Sequence, residues 1–115
     1  MDKRIEISIL LDIYGVLLTE KQRDIMDLYF NNDLSLAEIS ENTNTSRQAI
    51  HDLIKRCERL LSEYESKLCL MKRNTELHRM KKSVDEHLDK LLEKDLDIDS
   101  KDRINNIRYL INDLN

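Results

Sequence analysis

The sequence predicts an all-α protein, and two observations favour this class. The chain of 115 residues contains one glycine and no proline, whereas β-sandwiches and barrels need many tight turns built from these residues. Leucine and isoleucine recur at intervals of three and four residues along most of the chain, which is the spacing of amphipathic helices. The single glycine also excludes glycine-rich phosphate loops and dinucleotide-binding fingerprints.

The first predicted helix covers residues 4–14, because Ile5, Ile9 and Ile13 repeat at every fourth position. Leu10 and Tyr14 lie beside this row. Gly15 follows directly, and a glycine in this place commonly ends a helix in the left-handed conformation. The sequence therefore predicts a left-handed Gly15 at the end of the first helix.

Two capping boxes predict where the second and third helices begin. Thr19 with Gln22, and Ser35 with Glu38, have the spacing at which each side chain bonds the other residue's backbone amide. The second helix is expected to end at the turn-forming residues 31–33, and the third is expected to be short. The predicted apolar stripe of the second helix comprises Ile25, Met26, Leu28 and Tyr29.

A long fourth helix is predicted to start at Ser46 and to continue to about residue 73, with one apolar side. Near residues 73–75 the apolar stripe changes phase, which indicates either a kink in one helix or a boundary between two. A helix of this length would span about 40 Å, more than a compact domain of this size accommodates. The stripe could pack against the N-terminal helices and the last helix of the same chain. We expect its part from Leu68 to Leu91 to pair with another chain instead, which predicts a homodimer.

The remainder of the chain is expected to form a helical extension. Residues 95–99 form an acidic connector, and Ser100 is predicted to cap the last helix. The sequence thus predicts two parts, a helix-turn-helix domain over residues 1–72 and a C-terminal extension, suited to dimerisation, over residues 73–115.

Residues 36–55 have the organisation of a helix-turn-helix, two helices separated by a short break. Ser40 is the small residue that would let the two helices approach, and Ile50 and Leu53 are the apolar residues that would attach the second helix to the first. The pattern therefore predicts that the helices of residues 4–31 complete the core over this unit.

The turn of this unit departs from the usual pattern. Asn44 stands where a glycine is common, and asparagine tolerates the left-handed conformation better than most residues. Thr43 and Thr45 occupy positions that are usually apolar. We therefore expect a left-handed Asn44 and a more loosely packed turn.

The order of the charges indicates a basic segment inside an acidic chain. The net charge is −4, yet residues 46–82 carry ten basic and five acidic side chains, a net +5. Residues 1–45 carry −5 and residues 83–115 carry −4. The basic segment begins with the second helix of the helix-turn-helix, which favours contact with nucleic acid over a uniformly solvated surface.

A recognition helix places its N-terminal polar residues in the major groove, where arginine reads guanine and glutamine reads adenine. An amphipathic helix whose polar side only faces water is the alternative interpretation. The side chains predicted to face base edges are Arg47, Gln48, His51, Asp52 and Lys55, and those predicted to contact phosphates are Ser46, Lys55, Arg56 and Arg59.

Little in the sequence indicates an enzyme, a metal centre or a cofactor. The three histidines, His51, His78 and His87, have no serine or cysteine beside them that would form a nucleophile pair. Cys57 and Cys69 lack the spacing of a metal or redox pair. We expect a non-enzymatic protein, and a cytoplasmic location since no signal peptide or membrane-length apolar run is evident.

Three segments resemble region four of the bacterial sigma factors, namely Leu18–Arg23, Leu36–Ser40 and Ser46–Ile50. The resemblance to the small YlxM-type proteins is closer and covers most of the chain, including residues 31–35 and 51–56. It implies a sigma-region-four-like helix-turn-helix of the winged-helix-like DNA-binding superfamily, followed by a long C-terminal helical extension.

The same resemblance implies partners. Genes of YlxM-type proteins lie beside those of the signal recognition particle protein and its receptor, which implies that these proteins act in that pathway or regulate it. Duplex DNA is the expected partner, without membrane insertion. The alternative is an accessory factor that binds the signal recognition particle protein, its receptor or its RNA, and that does not bind DNA.

Overall fold

A computed structural model describes residues 2–114, and the chain divides into two compact units after Met71. The described residues form no β-strand, which confirms the all-α class. The elements in chain order are α1 (Lys3–Tyr14), a 3-10 turn (Gly15–Leu17), α2 (Glu20–Phe30), α3 (Leu36–Thr43), α4 (Arg47–Leu68), α5 (Leu70–Leu92) and α6 (Ile98–Asn112).

The N-terminal unit is built around α4, which contacts α1, α2 and α3. Apolar side chains of these four helices form one core, as expected for a helix-turn-helix that cannot bury its apolar side alone. The buried residues of this core are Ile7, Leu10, Leu11, Tyr14, Leu18, Ile25, Met26, Phe30, Ile39, Ile50, Ile54, Cys57 and Leu61.

The burial of α1 follows only part of its predicted apolar pattern, since Leu10 and Tyr14 are buried but the row of isoleucines is not. Ile5 is 54% exposed, and Ile9 and Ile13 are only half-buried. Helix α1 is apolar over a wide arc, and packing against α4 selects the part of that arc that is buried. The residues that face the core are Ile7, Leu10, Leu11 and Tyr14, at the helical intervals of three and four.

The predicted left-handed Gly15 is also wrong. Gly15 has φ −55° and ψ −29°, because the chain does not reverse at this point but continues into the 3-10 turn. The amide of Leu18 donates to the Gly15 carbonyl at 3.0 Å, and this bond closes the turn. A hydrogen-bonded turn thus joins α1 to α2.

Both predicted capping boxes are present. The Thr19 amide donates to the Gln22 side chain at 2.9 Å, and the Gln22 amide donates to the Thr19 hydroxyl at 3.2 Å. Ser35 and Glu38 make the corresponding two bonds, each 3.1 Å long. Hydrogen bonds from the Ser35 backbone and side chain lower the pKa of the Glu38 carboxyl. Of the predicted α2 stripe, Ile25 and Met26 are buried and Leu28 and Tyr29 pack partly buried on the core.

The fourth helix ends earlier than its apolar pattern predicts, and the boundary between two helices lies at Cys69 rather than at residues 73–75. Helix α4 stops at Leu68, Cys69 adopts a left-handed φ of 56°, and α5 then runs without interruption through residues 73–75. The expected continuous helix to residue 73 is therefore wrong, and helix length no longer argues for a partner chain.

A part-buried polar network lies at this boundary. The Tyr14 hydroxyl donates to Glu65 Oε1 at 2.6 Å and accepts the Leu70 amide at 3.1 Å. Glu65 Oε1 also accepts the Met71 amide at 2.9 Å. The first amides of α5 are thus satisfied by side chains of α1 and α4. Burial and the bond to Glu65 raise the pKa of Tyr14.

The C-terminal unit consists of α5 from residue 72 onward and α6. Leu88 and Ile104 are its buried side chains among the described residues. The predicted Ser100 cap is wrong, because α6 begins at Ile98 and Asp97 is its N-cap, whose carboxylate accepts the Ser100 amide at 3.0 Å. No helix within residues 2–114 is long and apolar enough to span a membrane.

Candidate nucleic-acid interface

The turn between α3 and α4 has the geometry of a helix-turn-helix. Asn44 has φ 52° and ψ 35°, which confirms the predicted left-handed residue. Asparagine adopts this conformation at a lower cost than other residues with a side chain. The chain then leaves the turn through extended Ser46, whose hydroxyl accepts the Ala49 amide at 3.1 Å and caps α4.

Hydrogen bonds hold the turn where apolar packing is usual. The Ser40 hydroxyl donates to the Thr45 carbonyl at 2.6 Å. The Thr43 hydroxyl donates to the Ile39 carbonyl at 2.7 Å, and the Thr45 hydroxyl donates to the Thr43 carbonyl at 3.2 Å. The two threonines therefore do not loosen the turn as expected, because their hydroxyls satisfy the carbonyls at the end of α3.

The rotation of α4 about its own axis is fixed by its buried side. Ile50, Ile54, Cys57 and Leu61 are at most 3% exposed, and predicted Leu53 is half-buried at the edge of this side. Because these residues recur at three- and four-residue intervals, the opposite side of the helix is directed to solvent.

All eight predicted contact residues are exposed on α4 or at its N-cap. The side of α4 opposite the buried residues carries Gln48, Asp52, Lys55, Arg56 and Arg59. His51 and Arg47 lie along one edge of this group, toward the buried side. We call residues 46–59 with these side chains the polar face of α4. The contact residues are Ser46, Arg47, Gln48, His51, Asp52, Lys55, Arg56 and Arg59.

One carboxylate organises the N-terminal part of the polar face. The Gln48 side-chain amide donates to Asp52 Oδ1 at 3.0 Å, and His51 Nδ1 lies 3.7 Å from the same oxygen. Sequence reasoning missed this cluster, although the four-residue interval between Gln48 and Asp52 is the spacing at which helical side chains meet. Gln48 and His51, two of the side chains predicted to face base edges, therefore already contact Asp52.

The basic side chains of the polar face differ in their availability. Lys55 Nζ lies 3.7 Å from Glu58 Oε2, so part of its charge is balanced within α4. Arg47, Arg56 and Arg59 form no ion pair with any residue between positions 2 and 114. These three guanidinium groups are the available cations of the face.

The geometry gives little support for a metal site or for covalent catalysis. Within the part of the chain that the structure describes, no three His, Cys, Asp or Glu side chains lie close enough to hold a metal ion. Burial raises the pKa of the Cys57 thiol, which keeps it protonated and weakly nucleophilic.

Comparison with known proteins identifies relatives along almost the whole chain. Residues 1–102 match the family described as "UPF0122: Putative helix-turn-helix protein, YlxM / p13 like". A UPF0122 protein of Clostridium kluyveri is 52% identical over 114 residues, which are 99% of this chain and 100% of that protein.

Two further relatives agree with this match. A UPF0122 protein of Clostridium novyi is 60% identical over 79% of both chains. A UPF0122 protein of Clostridium acetobutylicum is 46% identical over 100% of this chain and 97% of its own length. The similarity therefore extends beyond the helix-turn-helix into the C-terminal unit.

Proposed function

Because this chain belongs to the YlxM / p13-like helix-turn-helix family, we propose that it is a non-enzymatic regulatory protein that binds duplex DNA through the polar face of α4. In this proposal the N-terminal turns of α4 enter the major groove and the later turns run beside the phosphates. The observation that carries the proposal is the exposed basic side of a helix whose rotation and turn are both fixed.

Phosphate contacts come from the available cations. Arg56 and Arg59 lie one helical turn apart, on the side of α4 opposite the buried row. Lys55 joins them once its contact with Glu58 is exchanged for a phosphate oxygen. The hydroxyl of Ser46 already caps α4, so its contribution is the helix N-terminus, where the backbone amides attract a phosphate.

We assign the contacts with base edges to the first two turns of α4. Arg47 suits guanine edges, and Gln48 suits adenine edges. Gln48 must first leave Asp52, which also repels phosphate oxygens. We therefore expect modest affinity, with Asp52 limiting non-specific binding more than it limits binding to a matched site.

The predicted homodimer belongs to the same proposal. One recognition helix covers a few base pairs, whereas two copies would cover two half-sites and double the number of phosphate contacts. The link to the signal recognition particle rests on the family resemblance, and we propose it as the pathway in which the regulation acts.

A second candidate function is that of an accessory factor that binds the signal recognition particle without DNA. One observation favours it, a surface groove of about 370 Å³ between α1 and α2, in whose lining the three carboxylates of Asp12, Asp24 and Asp27 outnumber the one cation, Arg23. Such a groove suits a basic protein segment.

Two experiments on the full chain separate these functions. Fluorescence anisotropy with labelled duplex DNA compares the wild type with the double variant Arg47→Ala/Lys55→Ala, which should bind more weakly. A pull-down with nuclease-treated lysate tests the second function. Capture of the ribonucleoprotein or its GTPase, together with no DNA binding at about 50 mM salt, would replace the first function by the second.

A further inference from the structure

Most of the positive charge of the basic segment lies in the C-terminal unit. Residues 72–82, in the first half of α5, carry five basic side chains and one acidic side chain, a net charge of +4. Residues 46–59, which include the polar face of α4, carry only +2, and residues 83–115 carry −4. The polar face of α4 therefore leaves the larger part of this charge without a role.

Three of the cations of α5 share one side of the helix. Lys72, Arg79 and Lys82 follow one another at intervals of seven and three residues, and all three are exposed. His78 is exposed beside them, four residues before Lys82. We call these four side chains the basic face of α5. Arg79 and Lys82 form no ion pair with any residue between positions 2 and 114.

A surface groove adjoins the basic face and adds polar groups to it. Its two parts, of about 260 and 390 Å³, share His78 and Lys81 in their lining. The one carboxylate of the lining belongs to Asp85 and lies 2.7 Å from Arg108 Nε, so the lysines keep the groove positive. The other lining residues are Asn74, Leu77, Lys82 and Asn112.

The stability of α5 does not account for the placement of these cations. The first turn of α5 carries Lys72 and Arg73 and no acidic residue, although the N-terminal end of a helix is itself positive and favours carboxylates. Arg79 and Lys82 lie one helical turn apart, where like charges repel each other. A bound polyanion would offset both effects.

The composition of this surface favours duplex DNA over other polyanions. Helices that bind membranes insert apolar side chains beside their cations, but the side of α5 that carries Lys72, Arg79 and Lys82 has no apolar residue between positions 72 and 86. Proteins that bind single strands stack the bases on aromatic rings, and residues 72–82 contain no Phe, Tyr or Trp. The face extends about 15 Å along α5, a length over which a duplex presents about nine phosphate charges.

We propose that the basic face of α5 is a second DNA-binding surface, which contacts the phosphates of a duplex without reading its sequence. Arg79 and Lys82 supply the main contacts with phosphate oxygens, and the side-chain amides of Asn74 and Asn112 donate to the same backbone. This surface shares no residue with the polar face of α4, so either assignment can fail without the other.

The salt dependence of binding to a random DNA duplex tests the proposal on the full chain. Arg79→Ala/Lys82→Ala should reduce the slope of log Kobs against log salt concentration by about two units, one for each lost phosphate contact. The charge-preserving variant Arg79→Lys/Lys82→Arg should keep the wild-type slope. Lys90→Ala is the matched control and should also keep it, because Lys90 is exposed on the same side of α5 but lies beside Glu86 in its acidic second half.

Urea unfolding of Arg79→Ala/Lys82→Ala separates a binding role from a structural one. Because the two cations repel each other in the free protein, this variant should be at least as stable as the wild type. A lower stability would contradict the argument that the cations serve a ligand and not the fold.

Three outcomes of the binding experiment decide the proposal. The wild-type slope in Arg79→Ala/Lys82→Ala would overturn it. A reduced slope in this variant, with an unchanged slope in Arg56→Ala/Arg59→Ala, would support it while contradicting the role proposed for α4. Tighter binding of the wild type to single-stranded RNA or to phosphatidylserine vesicles than to the duplex would overturn the choice of duplex DNA.

Discussion

The hydroxyl of Tyr14 lies 2.6 Å from the carboxylate of Glu65 and joins the end of α1 to the end of α4 across 51 residues of sequence. The same hydroxyl accepts the Leu70 amide, so it determines where α5 begins. This part-buried polar contact therefore links the end of α1 to the boundary between the two long helices.

Tyr14→Phe removes the hydroxyl with its two hydrogen bonds and leaves the bond from the Met71 amide to Glu65, and it should destabilise the N-terminal unit. A lost hydrogen bond of ordinary strength corresponds to a decrease of about 4 to 8 °C in melting temperature. Tyr64→Phe is the control, because the Tyr64 ring packs 5.9 Å from Tyr14 but its hydroxyl has no hydrogen bond within residues 2–114. Equal melting temperatures for the wild type and Tyr14→Phe would contradict the role given to the network.

The left-handed Asn44 predicts opposite effects for two substitutions. Asn44→Ala should lower the free energy of unfolding by about 1 kcal/mol, because a Cβ without a compensating side chain disfavours this conformation. Asn44→Gly should preserve or increase stability, since glycine adopts a positive φ without strain. Urea unfolding measures both variants. If Asn44→Gly were less stable than the wild type, contacts of the Asn44 side chain would contribute more to stability than the ease of adopting a positive φ.

The capping box of α3 predicts a specific sensitivity to acid. Because the folded-state pKa of Glu38 is lowered below its usual 4.5, its stabilising effect is complete above that value and is lost as the pH falls through the folded-state pKa. Glu38→Gln keeps the hydrogen bonds but cannot titrate. Between pH 5 and 2, the stability of this variant should fall less than that of the wild type, as measured by urea unfolding. If the two proteins lost stability in parallel, Glu38 would not be the source of the acid sensitivity.

Asp52 should restrain binding to DNA. Asp52→Asn removes a negative charge from the polar face, and it should strengthen binding to a random duplex about fivefold, the value of one weak ionic contact. Asp102→Asn makes the same change in charge on exposed α6 and should have little effect. Fluorescence anisotropy at constant salt measures both. If Asp52→Asn bound DNA more weakly, Asp52 would instead hold Gln48 or His51 in position to contact the bases.

Local signals in the sequence predicted the parts of the fold that depend on neighbouring residues. The boxes of Thr19 with Gln22 and of Ser35 with Glu38, and the left-handed Asn44, each depend on no more than four positions. Long-range contacts caused the errors, because the α4–α5 boundary is set by Tyr14. The buried side of α1 was likewise selected by α4.

In the candidate site, too, the sequence predicted some features, and others depend on the folded structure. The exposure of its residues followed from the apolar register of α4, which is readable in the sequence. The engagement of Gln48 and His51 by one Asp52 oxygen was not predicted, because several rotamers are open to exposed side chains and only the folded geometry selects among them.

The most direct test of the central claim is the salt dependence of duplex-DNA binding by the wild type, Arg56→Ala and Arg59→Ala. Plots of log Kobs against log salt concentration should lose about one unit of slope with each arginine. Lys101→Ala, an exposed cation of α6, should leave the slope unchanged. The same slope for all four proteins, or no binding at about 50 mM salt, would contradict the assignment of the polar face of α4 to nucleic acid.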